Sequence, residues 1–159
     1  STELPLPIEQ VFPFFAEAEN LERITPPQLS FRIESPVPIV MREGTEIDYR
    51  LSLFGFPFRW KSLISVWRPP FEFVDEQVSG PYALWRHLHR FSRTGDGATL
   101  MEDRVEYQLP LAPLGNLALP LVRLQLDRIF AYRNKVILQL LTVPAITPHP
   151  EIQESRTEE

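Results

Sequence analysis

At 159 residues, 43% hydrophobic and 23% charged, the chain fits one globular domain and is long enough to bury about two-thirds of the surface its unfolded form exposes. Sixteen basic against twenty-one acidic residues leave a net charge of −5, which excludes a strong overall attraction to phosphate backbones, so no nucleic-acid partner is expected. The absence of cysteine excludes a disulfide framework, a thiolate nucleophile and cysteine-ligated zinc, and favours a reducing, cytoplasmic setting.

Seventeen prolines and six glycines cut the sequence into strand-length pieces followed by one long helical piece. Leu4 and Leu6, flanking Pro5, predict a short first strand, and no basic segment leading into an apolar stretch precedes it. Pro7 suits the first turn of a helix, and Val11, Phe12, Phe14 and Phe15 predict that helix over Ile8 to Ala16 in spite of Pro13. A second short helix is expected over about Ala18 to Ile24, ending before Pro26-Pro27.

From Leu29 the apolar period changes to two. Leu29, Phe31 and Ile33 alternate with polar residues, as do Ile47, Tyr49, Leu51 and Leu53, so both runs read as half-buried strands. Gly55-Phe56-Pro57 turns into a strand from Phe58 to Trp67, Pro69-Pro70 ends it, and Phe71 to Ser79 forms the next. Gly80-Pro81 leads into the strand WRHLHRF, Trp85 to Phe91, and Gly95-Asp96-Gly97 makes a tight hairpin into Thr99 to Gln108.

The leucine-rich stretch Leu109 to Leu126 is broken by Pro110, Pro113, Pro120 and Arg123, so it suits a loop entering a helix, and no stable membrane insertion is expected. Val122, Leu126, Ile129, Phe130, Val136, Ile137 and Leu140 then recur at spacings of three and four, which predicts one helix over about Leu119 to Leu141. Residues 1–141 form a single domain on this reading, and 142–159, with three prolines and a late acidic bias, form a flexible tail. A curved antiparallel meander with one face to cover, and a helix of about 30 Å to cover it, give an α+β grip.

The runs PIEQVFPFFAEAENLERITPP, GTEIDYRLSLFGFPFRW, WRPPFEFVDEQVSGPYALWRHLHRF and IFAYRNK, spanning about residues 5 to 138, resemble the START-like helix-grip superfamily. That superfamily, also called SRPBCC, includes polyketide cyclases/dehydrases, lipid-transfer domains and plant hormone-binding proteins, and the closest likeness is to a bacterial ligand-binding-type subgroup. The resemblance implies a deep cavity between the concave sheet and the long helix, used for lipophilic ligands, on a scaffold that hosts binding, transport and catalysis. Relatives sometimes carry an epimerase-like nucleotide-binding domain, whereas no glycine-rich phosphate loop occurs in these residues.

If the hairpin is centred on Asp96, paired residue numbers sum to 192, so that Trp85 faces Tyr107, His87 faces Val105, His89 faces Asp103 and Phe91 faces Met101. The even face carries Arg86, Arg90, Glu102, Arg104 and Glu106 and must be the solvent side, which turns His87 and His89 inward. Parity places Tyr49, Trp60, Ser62 and Ile64 inward as well, and on the strand between them the odd face, with Phe73, Asp75 and Gln77, is chosen because it adjoins the histidines. The candidate ligand-binding residues are therefore Tyr49, Trp60, Ser62, Asp75, Gln77, Trp85, His87, His89, Asp103 and Tyr107.

A buried carboxylate needs a partner, and Asp103 opposite His89 has one. Three uses remain open: a self-satisfied brace for the sheet, a polar group that orients a ligand's hydroxyl or carbonyl, or acid–base catalysis by His87 or His89 with Asp103 on a polyketide-like substrate. A regulatory domain with a vestigial cavity is a further possibility. His-x-His with a carboxylate also matches metal-ligand spacing, but spacing alone is a weak signal, His149 lies in the tail, and neither a metal nor an organic cofactor is expected. Phe12, Phe14, Phe15 and Leu109 to Leu121 read first as packing, although the family's cavity mouth lies there and a proline-bounded loop would suit a lid or a membrane or partner contact. Arg133 is left open between solvent and a buried acid such as Asp75, and the oligomeric state is not legible.

Overall fold

The period-two segments fold into one antiparallel sheet, and the helical segment lies across it. The computed structural model describes residues 1–111 and 113–142. Strand β1 is Thr2–Leu4, followed by helices α1, Ile8–Ala16, and α2, Asn20–Ile24. Six strands come next: β2, Arg32–Ile33; β3, Glu46–Leu53; β4, Phe56–Arg68; β5, Glu72–Ser79; β6, Leu84–Arg93; and β7, Thr99–Gln108. Helix α3, Leu119–Thr142, ends the described chain, and the expected tail beyond it, His149 included, lies outside the described residues. No helix among the described residues is long and apolar enough to cross a membrane.

The spatial order is β1-β7-β6-β5-β4-β3-β2, so consecutive hairpins build the sheet and the first strand closes against the last, with Leu4 opposite Thr99. The β6–β7 register follows the sum of 192: Trp85 pairs with Tyr107, His87 with Val105, His89 with Asp103 and Phe91 with Met101. Gly97, at φ 76°, supplies the left-handed residue that this turn needs, and the Thr94 N–H donates to Ala98 O at 2.9 Å across it. Between β4 and β5 the register slips twice, at Lys61/Ser62 and at Ile64/Val66, and such bulges bend a sheet.

Two expected strands are shorter than their apolar alternation. β1 stops at Leu4 because Pro5 has no N–H for the ladder, and the Leu6 carbonyl instead accepts from Thr99 Oγ1 at 2.8 Å. Of Leu29 to Ile33 only Arg32–Ile33 pairs, opposite Arg50 and Tyr49, because Pro27–Leu29 winds into a 3-10 turn and Ser30 adopts φ 47°. Helix α2 likewise begins at Asn20 rather than Ala18.

The convex face is laced by cross-strand ion pairs, Arg86 with Glu76 at 3.2 Å, Arg90 with Glu72 at 3.5 Å and Lys61 with Glu46 at 3.1 Å. Val74 is the exception there, buried between its cross-strand partners Val66 and Leu88. The concave face holds two apolar clusters. At one end Phe12 of α1 packs on Trp67 and Phe91, both at 5.4 Å between ring centroids, with Leu4, Ile8, Met101 and Ile137. At the other end Phe31, Tyr49, Leu51 and Trp60 pack together. The segment Leu111 to Leu121 does not pack as expected: Leu111, Leu114, Leu117 and Leu121 are exposed.

Candidate functional site

Side chains two apart on a strand share a face, so His87 and His89 of β6 point together into the concave side, where they are 4% and 3% exposed. Their ring centroids are 3.7 Å apart. Phe73 of β5 stacks on His89 at 4.1 Å, and Phe130 of α3 meets His87 edge-on at 5.4 Å. Asp75 and Asp103 flank the two rings from the neighbouring strands β5 and β7.

The hydrogen bonds run diagonally. Asp103 sits opposite His89 in the ladder, yet its Oδ1 accepts from His87 Nε2 at 2.8 Å. Asp75 sits opposite His87, yet its Oδ2 accepts from His89 Nε2 at 2.9 Å. The pairs directly across the ladder are ion-pair contacts, His89 Nδ1 to Asp103 Oδ1 at 3.1 Å and His87 Nδ1 to Asp75 Oδ2 at 3.6 Å. The first is off the direction a hydrogen bond requires, and His89 Nδ1 has no hydrogen-bond partner among the described residues. The result is a closed ring of two carboxylates and two imidazoles.

Protonation is unequal within that ring. Burial, and then the charge of His89, push His87 down to about 4 against the opposing hydrogen bond to Asp103. Burial acts on His89 in the same direction, but the two carboxylates close to its ring, Asp103 and Asp75, together outweigh it and hold its pKa above the ordinary imidazole value. Burial raises both carboxylic acids, yet imidazole hydrogen bonds and the positive charge of Arg133 win, leaving Asp75 below and Asp103 far below the usual carboxylate range. At neutral pH the ring therefore holds two carboxylates and a neutral imidazole at His87, and the imidazole proton is held on His89 in preference to His87. A neutral ring that donates from Nε2 carries its lone pair on Nδ1.

Between this ring, α3 and the β3–β4 hairpin the side chains leave a pocket of about 190 Å³. Tyr49, Trp60, Ser62, Asp75, Trp85, His87 and His89 of the predicted set line it. Ser62 satisfies two aromatic neighbours at once, accepting from Trp60 Nε1 at 3.1 Å and bonding the Tyr49 hydroxyl at 2.9 Å. Burial, with the nearby charge of Asp75, holds that phenol well above its ordinary pKa, so it stays neutral.

The other three predicted residues do not line the pocket. Asp103 is placed behind the histidines, bonded to His87. Gln77 is consumed by the β5–β6 turn, its Nε2 donating to Tyr82 O at 2.7 Å and its Oε1 accepting from Tyr82 N at 3.2 Å. Tyr107 packs edge-on against Tyr82, and its hydroxyl is buried without a hydrogen-bond partner among the described residues.

Helix α3 supplies the opposite wall, with Val122, Leu126, Ile129 and Phe130, none of which was singled out as a site residue from sequence. Arg133 is the ambiguity the structure resolves. It projects into the pocket, is 9% exposed, and its buried Nε has no hydrogen-bond partner among the described residues. Asp75 and Asp103 feel its charge but form their ion pairs with the imidazoles.

Asp75, His87 and His89 each offer a ligand atom within 4.8 Å of the others, the composition of a two-histidine, one-carboxylate metal set. Two features oppose a dication there: the same atoms are joined by hydrogen bonds at 2.8 and 2.9 Å within the ring, and the guanidinium of Arg133 already brings positive charge to it.

No family model matches the chain, and no curated protein sequence matches it. Solved structures do. A START superfamily protein from Mycobacterium smegmatis aligns over 88% of this chain and 92% of its own, with a TM-score of 0.63 at 12% identity. Major latex-like protein 151 from Panax ginseng aligns over 89% and 94%, with a TM-score of 0.62 at 12% identity. A nucleoside-diphosphate sugar epimerase from Corynebacterium glutamicum aligns over 86% of this chain but only 27% of its own, with a TM-score of 0.58 at 23% identity. The chain thus has the START-like helix-grip fold: a curved antiparallel sheet wrapped around a long C-terminal helix, with two short helices after the first strand.

Proposed function

We propose that the chain binds a small lipophilic molecule between the concave sheet and α3, as a cytoplasmic carrier or sequestering protein. One observation carries this reading: a pocket of about 190 Å³ whose walls are mostly aromatic and aliphatic, with a minority of polar groups among them. Space of that kind holds on the order of a dozen water-sized groups. Apolar walls supply affinity in proportion to the area they remove from water, and the few polar groups set orientation. The helix-grip resemblance points to the same class of ligand. Native mass spectrometry of protein purified without denaturation is expected to show a co-purifying mass, or the emptied protein to take up a hydrophobic dye. Neither mass nor dye would leave a regulatory domain with a vestigial cavity.

A second reading, a cyclase- or dehydratase-like enzyme, is favoured by the unequal protonation of the two imidazoles. A neutral His87 with a free lone pair beside a charged His89 is a base next to an acid, and Asp103 bonds the first and pairs with the second. Under this reading His89→Gln abolishes turnover of a candidate polyketide while leaving its affinity nearly intact. Equal loss of both would assign the histidines to binding alone.

A further inference from the structure

We propose that the ligand of this pocket carries a carboxylate, and that the guanidinium of Arg133 binds it as a two-pronged pair; this rests on the pocket reading above. The proposal starts from a charge that the fold buries and that no group among the described residues pairs. Arg133 follows Phe130 by three residues and precedes Ile137 by four, so it stands in the inward stripe of α3, where the other lining residues are apolar except Gln125. It is 9% exposed and lines the pocket, and its Nε is buried without a hydrogen-bond partner among the described residues.

A guanidinium has five N–H donors and no acceptor, so whatever completes it must be an acceptor, and a desolvated cation is most fully met by an anion. The carboxylates at and beside the pocket among the described residues are committed elsewhere: Asp75 and Asp103 to the imidazoles, and Glu17, also in the lining, to Asn20 Nδ2 at 3.0 Å. Among the described residues, Arg133 is the only Arg or Lys in the lining. The planar fork matches the two oxygens of a carboxylate with parallel hydrogen bonds, which a single carbonyl oxygen cannot reproduce. Leu126, Ile129 and Phe130, on the same face of α3, offer the apolar surface along which the rest of such a molecule lies.

The test compares decanoic acid with methyl decanoate and decan-1-ol, three probes of similar length, by calorimetric titration near neutral pH. Each has about the dozen heavy groups that the space admits. Decanoate is expected to bind at least about tenfold more tightly than either neutral probe, a margin ordinary for a charge-assisted bidentate pair. Arg133→Met, which keeps the bulk of the side chain and removes its donors, is expected to bind decanol as the unaltered protein does and to lose the preference for the acid. Equal affinity of the unaltered protein for acid and ester overturns the proposal while leaving the pocket reading in place, as does an Arg133→Met protein that still prefers the acid. Binding of none of the three probes overturns the pocket reading and this proposal together. The comparison within the unaltered protein decides the matter even if the variant does not fold.

Discussion

Replacing Asp103 by alanine is expected to lower the unfolding free energy by about 3–5 kcal/mol, whereas Glu102→Ala, one residue away on the other face of β7, should change it by less than about 0.5 kcal/mol. The two acids differ in what they hold. Glu102 is exposed. Asp103 has 10% of its side chain exposed, accepts the His87 Nε2 proton at 2.8 Å, and lies 3.1 Å from Nδ1 of His89. Removing it strips a buried N–H of its acceptor and leaves the His89 imidazolium with Asp75 alone, and losing one partner of a buried charged network costs far more than losing a surface charge. Urea unfolding of the two variants measures the difference directly, provided that the m-values agree, since a changed slope would signal a changed ensemble rather than a lost network. Coincident midpoints would mean that the ring does not contribute to stability.

The β6–β7 hairpin was legible because two independent signals agreed on it. A Gly-Asp-Gly turn set the register, and the run of Arg86, Arg90, Glu102, Arg104 and Glu106 on one face told which side meets water. Alternation gives a side chain's face but not its rotamer, so the diagonal bonding, with each aspartate reaching past its ladder partner to the other histidine, could not be read from it. Gln77 has the same parity as Asp75, yet Tyr82, in the turn three residues beyond the strand's end, takes up both of its amide atoms, a demand that alternation does not register. The short β2 had a visible cause in Pro26-Pro27.

Arg133 was harder to place because a period of 3.6 spreads apolar positions over a broad stripe, and Val136 and Ile137 bracket its edges without marking its centre. The signal was present all the same. Phe130, Arg133 and Ile137 fall on one line, and a charged residue at such a position is either a packing fault or part of a site. The fold thus follows from apolar periodicity and turn chemistry, while the site depends on which few polar groups interrupt that periodicity and on what each of them reaches.

Stability should pass through a maximum between the displaced pKa values of the two histidines and fall by about 2 kcal/mol on acidification from about pH 6.5 to pH 4, because the two are displaced in opposite directions. Near pH 6.5 an unfolded chain, with both imidazoles at their ordinary value, holds about one proton between them, whereas the native ring concentrates protonation on His89 and keeps His87 neutral. As the pH falls, the unfolded state approaches two protons while the native state stays at one until His87 titrates near 4, so stability drops by about 1.4 kcal/mol per unit of pH. Above pH 6.5 the native state keeps the His89 proton that the unfolded chain gives up, and stability falls again as the pH rises through the raised pKa of His89. The depressed carboxyls of Asp75 and Asp103 stabilise above the ordinary carboxylate pKa and withdraw that support only below it, so they steepen the curve at still lower pH without moving the maximum. His87→Gln separates the contributions, since its amide can still donate to Asp103 but does not titrate. Urea unfolding between pH 4 and 8 should show the variant's acid limb flattened by about one proton and its alkaline limb unchanged. If the acid limbs of the two proteins run parallel, a neutral buried His87 is not what sets that slope, and the acid-and-base pairing that the catalytic reading requires is lost with it.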